Sequence, residues 1–263
     1  MSVKEYVKAG SVAEAIELLE SRDGAVVLGG GAYLRLGGRP VELAIDLCDA
    51  GLDYVRESAD GIEIGAMATY RQLETNGLLQ EYCGGMIGAA VADVAGVQLR
   101  NVVTVGGTVY RGYAFSNLVT ALLAVDAEVE LARAGTMPLA FFLNHRHDGG
   151  DILVGVRLPR PSGLGAYADI TNTRNDFAIL NAAVAVFGDE HRIVVGARPS
   201  TARLADDASL WLAEHASEAD AAVEAGNRAA AELDFGDNLR ATADYRCRVC
   251  PSLVRRVIEE ALS

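Results

Sequence analysis

QLRNVVTVGGTVYRGYAFSN, residues Gln98 to Asn117, is the stretch on which the reading of the whole chain turns. It opens on a polar cluster, runs through a β-rich segment and breaks at Gly106-Gly107, then carries an aromatic loop with Ser116 and Asn117 into an apolar helix. Two glycines flanked by Thr104 and Thr108 let backbone approach a ligand closely, because no Cβ stands in the way. Their amides then form a concave nest for an anion such as a pyrophosphate. A second turn of this kind lies upstream in VVLGGGAYLRL, Val26 to Leu36. Two strand–glycine turns suit a dinucleotide gripped from two sides.

A dinucleotide fold of the Rossmann type is a poor match. It needs G-x-G-x-x-G opening a long crossover helix, with an acid about 20 residues on. Asp46 satisfies the last condition, but Leu34 holds the third glycine position and Gly37, Gly38 and Pro40 stop any helix of adequate length.

The 263 residues suggest two or three small domains, and 51% hydrophobic content allows a sizeable core. No apolar run approaches the roughly 18 residues that span a bilayer, and no signal segment opens the chain, so the expectation is a cytoplasmic protein without membrane attachment. A formal charge of −13 argues against nucleic acid, which needs clustered Lys and Arg. An anionic ligand must then rely on local amides and a few arginines, with Arg100 and Arg111 as candidates. Cys247 and Cys250 form a C-x-x-C inside a helical pattern with no partner pair, so no metal site is expected. His145 and His147, in FLNHRHDGG, read as a loop without a third ligand.

Local patterns give the rest. Ser11 caps a helix to Glu20 with Glu14 at capping-box spacing. Strands are expected at Val26–Leu28, Val41–Leu47, Tyr54–Glu57, Ile62–Ala66, Ala127–Leu131 and Ile152–Leu158, with helices from Thr69, over Met86–Ala95 and over Leu118–Val125. Pro159 and Pro161 mark a boundary. Beyond it, Gly165–Thr171, Ala178–Phe187 and Arg192–Ala197 read as antiparallel strands, followed by helices over Thr201–Ala216, Glu218–Leu233 and Thr242–Leu262. The fold class is α+β, with helices on one face of the last sheet.

The two glycine turns, the segment Ile64-Gly-Ala-Met-Ala-Thr69, Asp176-Phe177-Ala178, Asp244-Tyr245-Arg246 and Leu253-Val254-Arg255-Arg256 together resemble the FAD-binding subunit of the molybdenum hydroxylases. That group includes xanthine dehydrogenase, nicotinate dehydrogenase and carbon monoxide dehydrogenase, and the likeness covers nearly the whole chain. It implies a two-part FAD-binding domain, 1–56 and 57–160, followed by a C-terminal α+β domain, 161–263. It implies that Val27, Leu28, Gly29, Gly30, Gly31, Ala32, Tyr33 and Leu34 wrap the pyrophosphate, and that Thr104, Val105, Gly106, Gly107 and Thr108 add a second set of contacts. Ser116 and Asn117 would face the ribose or adenine end, Leu153 the flavin ring, and Asp176 its reactive edge. The sequence departs from the family at Thr108, where many members have asparagine, and at Asn117, where many have aspartate. Ala32 stands where distant covalent flavoproteins carry histidine, so the FAD is expected to be non-covalent.

The resemblance also implies partners: a molybdopterin-binding large subunit and a small subunit with 2Fe–2S clusters. Electrons would pass from the clusters through FAD to NAD or another acceptor. The segment Asp169–Asp176 lacks a lysine that several members place near the flavin, which leaves the acceptor open. No catalytic acid or base is assigned, because the chemistry belongs to the cofactor. Two other classes stand beside this reading: a lone flavin reductase like those acting on enolpyruvyl sugars, and a non-enzymatic nucleotide-binding or assembly module.

Overall fold

A computed structural model describes residues 3–33, 40–145, 149–159 and 163–263. Three sheets, each with its own helices, follow one another along the chain. The first is parallel, in the order β1 (Val3–Lys8), β3 (Val41–Asp46), β2 (Ala25–Leu28), with α1 (Val12–Ser21) crossing between β1 and β2. Ser11 caps α1 as expected, accepting from Glu14 N. The Glu14 carboxylate reaches back to Gly10 N at 2.8 Å. β1 goes unread in the sequence because VKEYVK lies at the sheet edge, largely exposed, and carries no alternation.

The second sheet is antiparallel, ordered β4 (Val55–Ser58), β5 (Gly61–Gly65), β8 (Leu153–Pro159), β6 (Glu128–Leu131), β7 (Gly135–Pro138). Around it lie α2 (Tyr70–Thr75), α3 (Gly77–Glu81), α4 (Met86–Ala92), α5 (Val97–Arg100), α6 (Val105–Arg111), α7 (Asn117–Ala124) and α8 (Leu139–Asn144). Thr69 and Gln72 close a complete capping box on α2. Helix α7, NLVTALLA, is buried on all sides, which explains its unbroken apolar run.

The third sheet is antiparallel, ordered β12 (Arg203–Leu204), β11 (Glu190–Gly196), β10 (Leu180–Phe187), β9 (Leu164–Ile170). Helices α9 (Asp206–His215), α10 (Ala221–Glu232) and α11 (Ala243–Ala261) cover one face, where Ala182, Val184 and Val186 meet them. The opposite face is covered too: Ala183, Ala185 and Val194 join the core that contains Leu118 and Leu122 of α7. The sheet is therefore filled from both sides, more than the single helical layer the sequence suggests.

Three local expectations need correction. The β-rich reading of Val102–Val105 fails: Thr104 makes one isolated bridge to Thr69, and α6 begins at Val105, with both glycines in its first turn. Val105 and Gly106 donate to the carbonyls of Ala68 and Ala66 at 2.9 and 2.7 Å, so tertiary pairing overrides β-propensity. The helix expected from Thr201 starts at Asp206, because Arg203–Leu204 pairs with β11. Of the loop expected over FLNHRHDGG, Phe142–Gly150, the first three residues end α8; His145 follows the helix and stacks on Phe141 with centroids 3.8 Å apart, and His147 lies outside the described residues.

Candidate functional site

Strand β2 ends at Leu28, and the chain then turns through Gly29 to Tyr33 without forming a strand or helix. Gly31 has a φ of +68°, in the left-handed region where only glycine is unstrained. Among the described residues, the backbone N–H groups of Gly29 to Tyr33 donate to no protein acceptor. A run of unspent amides on one turn is a docking surface for an anion.

The second glycine segment lies against this loop. A Cβ on Gly30 would stand 1.4 Å from the Val102 carbonyl oxygen, and one on Gly29 would stand 2.4 Å from Thr104 Oγ1. Only glycine permits that approach. The two segments bound one cleft of about 490 Å³, lined by Val27 to Tyr33, Thr104, Gly106, Gly107 and Thr108, with Leu153 and Arg111 also on its wall.

Their amides are used differently. Val105 and Gly106 N–H are taken by Ala68 and Ala66, Gly107 N donates to Thr104 Oγ1 at 3.2 Å, and Thr108 N to Thr104 O. The Thr108 hydroxyl donates to the Thr104 carbonyl at 3.0 Å. The second segment thus forms a neutral wall whose donors are committed inside the protein, while the first loop holds the free ones. Gly106 is needed for packing, since its Cβ would meet Ala66 at 2.8 Å.

A second hollow of about 90 Å³, which shares Tyr33, Thr108 and Tyr113 with the cleft, is lined by Tyr70, Ser116, Asn117, Asp176 and aromatic rings. The Tyr70 phenol lies 3.1 Å from Thr108 Oγ1, and because the Thr108 proton is spent on Thr104, Tyr70 is the donor. Burial holds that phenol above its ordinary pKa, so it stays protonated. Ser116 caps α7 by accepting from Val119 N. Tyr33, Tyr113, Phe115 and Phe177 form a continuous aromatic group: Tyr113 and Phe115 stack at 5.0 Å, and Phe115 meets Phe177 edge-on at 4.6 Å. Arg240 lies 4.8 Å from the Phe177 ring and 3.6 Å from the Asp176 carboxylate.

Of the residues singled out in the sequence, Val27 to Tyr33, Thr104, Gly106 to Thr108, Ser116, Asn117, Leu153 and Asp176 all line these two neighbouring hollows. Val105 is buried behind them, and Leu34 lies outside the described residues. Arg100 is elsewhere, held by Glu74 at 3.0 Å and by the Ala95 carbonyl. Arg111 reaches the cleft wall and has no protein partner among the described residues. Tyr70 and Phe115 had no signal of their own, because a lone aromatic residue reads equally well as core; Phe177 entered only as part of the Asp176-Phe177-Ala178 motif.

A family model described as "FAD binding domain in molybdopterin dehydrogenase" matches residues 1–161, and one described as "CO dehydrogenase flavoprotein C-terminal domain" matches 165–261. The chain belongs to the FAD-binding subunits of the molybdenum hydroxylases. It is 31% identical to the 6-hydroxypseudooxynicotine dehydrogenase complex subunit alpha of Paenarthrobacter nicotinovorans, over 98% of this chain and 94% of that one. It is 27% identical to the nicotine 6-hydroxylase medium subunit of the same organism, over 97% and 96%. Among solved structures, carbon monoxide dehydrogenase from Hydrogenophaga pseudoflava superposes with a TM-score of 0.89 at 27% identity, covering 98% of this chain and 96% of that one. As a flavoprotein subunit of this oxidoreductase family, the chain has FAD as its cofactor. Its free loop amides, with the uncharged Thr104–Thr108 segment opposite and Arg111 as a cation on the same wall, fit the diphosphate of that cofactor.

Proposed function

We propose that this subunit takes electrons from an iron–sulfur small subunit and passes them through FAD to NAD or another acceptor, while a molybdopterin-binding large subunit oxidises the substrate. The observation that carries the reading is the loop of unspent amides, Gly29 to Tyr33, facing a glycine–threonine wall in a chain of formal charge −13. In this reading those amides hold the diphosphate, Ser116 and Asn117 supply polar contacts on the inner hollow, and Leu153 offers an apolar face to the ring. Asp176, tied to Arg240, sits at the mouth and orients rather than transfers protons. The bound flavin supplies the exchange of one and two electrons, and the protein excludes water and fixes orientation.

The three segments 1–56, 57–160 and 161–263 act as two walls and a cover of one non-covalent site. We place the complex in the cytoplasm: no helix among the described residues is long and apolar enough to cross a membrane, and all four cysteines are free thiols. The relatives named for nicotine and 6-hydroxypseudooxynicotine support the assembly, not a substrate, since the substrate pocket belongs to another chain. Co-purification with a molybdopterin protein and an iron–sulfur protein, together with a flavin absorption spectrum, is the expected result. A colourless protein that takes up no added FAD would refute the reading, and a yellow protein that associates with neither partner would point to a lone reductase.

A further inference from the structure

Asn117 joins two parts of the molecule. It is 8% exposed, lies at the start of α7 and lines the inner hollow. Its Oδ1 accepts from Asn181 Nδ2 at 2.9 Å, and its Nδ2 donates to Asp169 Oδ2 at 3.2 Å. Asn181 is fully buried on β10 and accepts in turn from Thr120 Oγ1 at 2.8 Å. Asp169, on β9, also accepts from Tyr167 OH at 3.4 Å.

A carboxylate can only accept, so Asp169 fixes which end of the amide faces it. That settles the orientation: Oδ1 points into the buried interior toward Asn181, and Nδ2 points toward Asp169. An amide nitrogen carries two hydrogens, and only one has a protein acceptor among the described residues. The other is an unspent donor on a residue that lines the hollow, polarised by the carboxylate bound to the same nitrogen.

We propose that Asp169 is a positioning residue that turns position 117 into a hydrogen-bond donor toward the cofactor, so that this point of the site selects an acceptor oxygen or nitrogen of FAD. An aspartate at 117 would offer the cofactor only acceptors and would also set two carboxylates against each other. The residue pair explains why an amide occupies this position. The inference rests on the FAD-binding reading above.

The test uses Asn117→Asp, Asp169→Asn and the double exchange in the full chain, with FAD titration and thermal melting read on each. Asn117→Asp is expected to melt lower and to bind FAD roughly tenfold or more weakly, the scale of a lost hydrogen bond with its donor. In the double variant the amide stands at position 169 and the carboxylate at position 117, so donor and acceptor trade ends and the bond between the two elements returns. Its melting temperature should recover while FAD binding stays weak, because the donor toward the cofactor is still missing. A purely structural role would restore both together. Recovery of FAD affinity in the double variant, or parental affinity in Asn117→Asp, would overturn the inference. A double variant no more stable than Asn117→Asp would overturn the assigned amide orientation and the inference with it. A parent protein without FAD affinity would instead bring down the reading on which the inference stands.

Discussion

At the scale of single residues, the site depends on atoms that are missing. Gly30→Ala places a methyl group within the Val102 carbonyl, so the loop must move; the expected result is loss of FAD retention with a lowered melting temperature. Gly31→Ala meets no neighbour within 4 Å, and its cost is the left-handed backbone alone, about 1 kcal/mol in urea unfolding. Equal effects from the two would show that the loop does not rest on the second segment. Asp169 gives a pH signature. Burial raises its carboxyl pKa above the usual range, Asp93 adds to that, and Tyr167, Asn117 and Arg256 oppose it. A raised folded pKa means that the folded state keeps the proton longer than the unfolded chain. This carboxyl's contribution to stability is therefore greatest below its ordinary pKa and is lost as pH rises through the folded value. Stability measured across that window should fall less steeply with pH in Asp169→Asn than in the parent; an unchanged slope would exclude the effect.

At the scale of elements, caps and buried cations fix the walls. Thr104 caps α6 and also touches Gly29, so Thr104→Val should cost about 1 kcal/mol of stability and loosen FAD, with Thr104→Ser recovering most of the loss. Arg246, fully buried, donates to the carbonyls of Ile179, Gly236 and Ala241 and to Asn238 Oδ1. Arg246→Met should destabilise by about 3 kcal/mol or more in chemical unfolding, and Arg246→Lys should not rescue it, because one ammonium cannot reach four acceptors in a plane. The tail motif in the sequence is thus a scaffold for α11.

Much at this scale was legible in advance. Ser11, Thr69 and Thr242 announce their helices because capping is a local transaction between neighbours. The segment before Gly106 was not, because Ala66 and Ala68, far away in sequence, take its amides. Nor was Asp169, whose meaning comes only from facing Asn117 across two elements. Pro251 sits inside α11 without ending it, with Gly226 of α10 packed on its backbone.

At the scale of the whole molecule, binding and stability are one measurement. A cofactor held only by the folded chain raises the melting temperature with its concentration. Hydrogen exchange should resolve the two glycine segments: Gly29 to Tyr33 fast in the cofactor-free protein and slowed by FAD, Val105 and Gly106 slow in both. Fast exchange at Gly106 would contradict the wall. The central and last sheets are held by α7 pressed into β10 and by the Asn117–Asn181 bond, with alanines keeping the faces close. The first sheet, by contrast, meets the centre at this site through bare glycine backbone against Val102 and Thr104. Away from the glycines the two share one apolar core, in which Leu43, Ile45 and Leu47 join Leu52, Ile62 and Ile64. A bulkier residue at position 30 must therefore displace the loop alone, because the strand that carries it stays anchored in that shared interior.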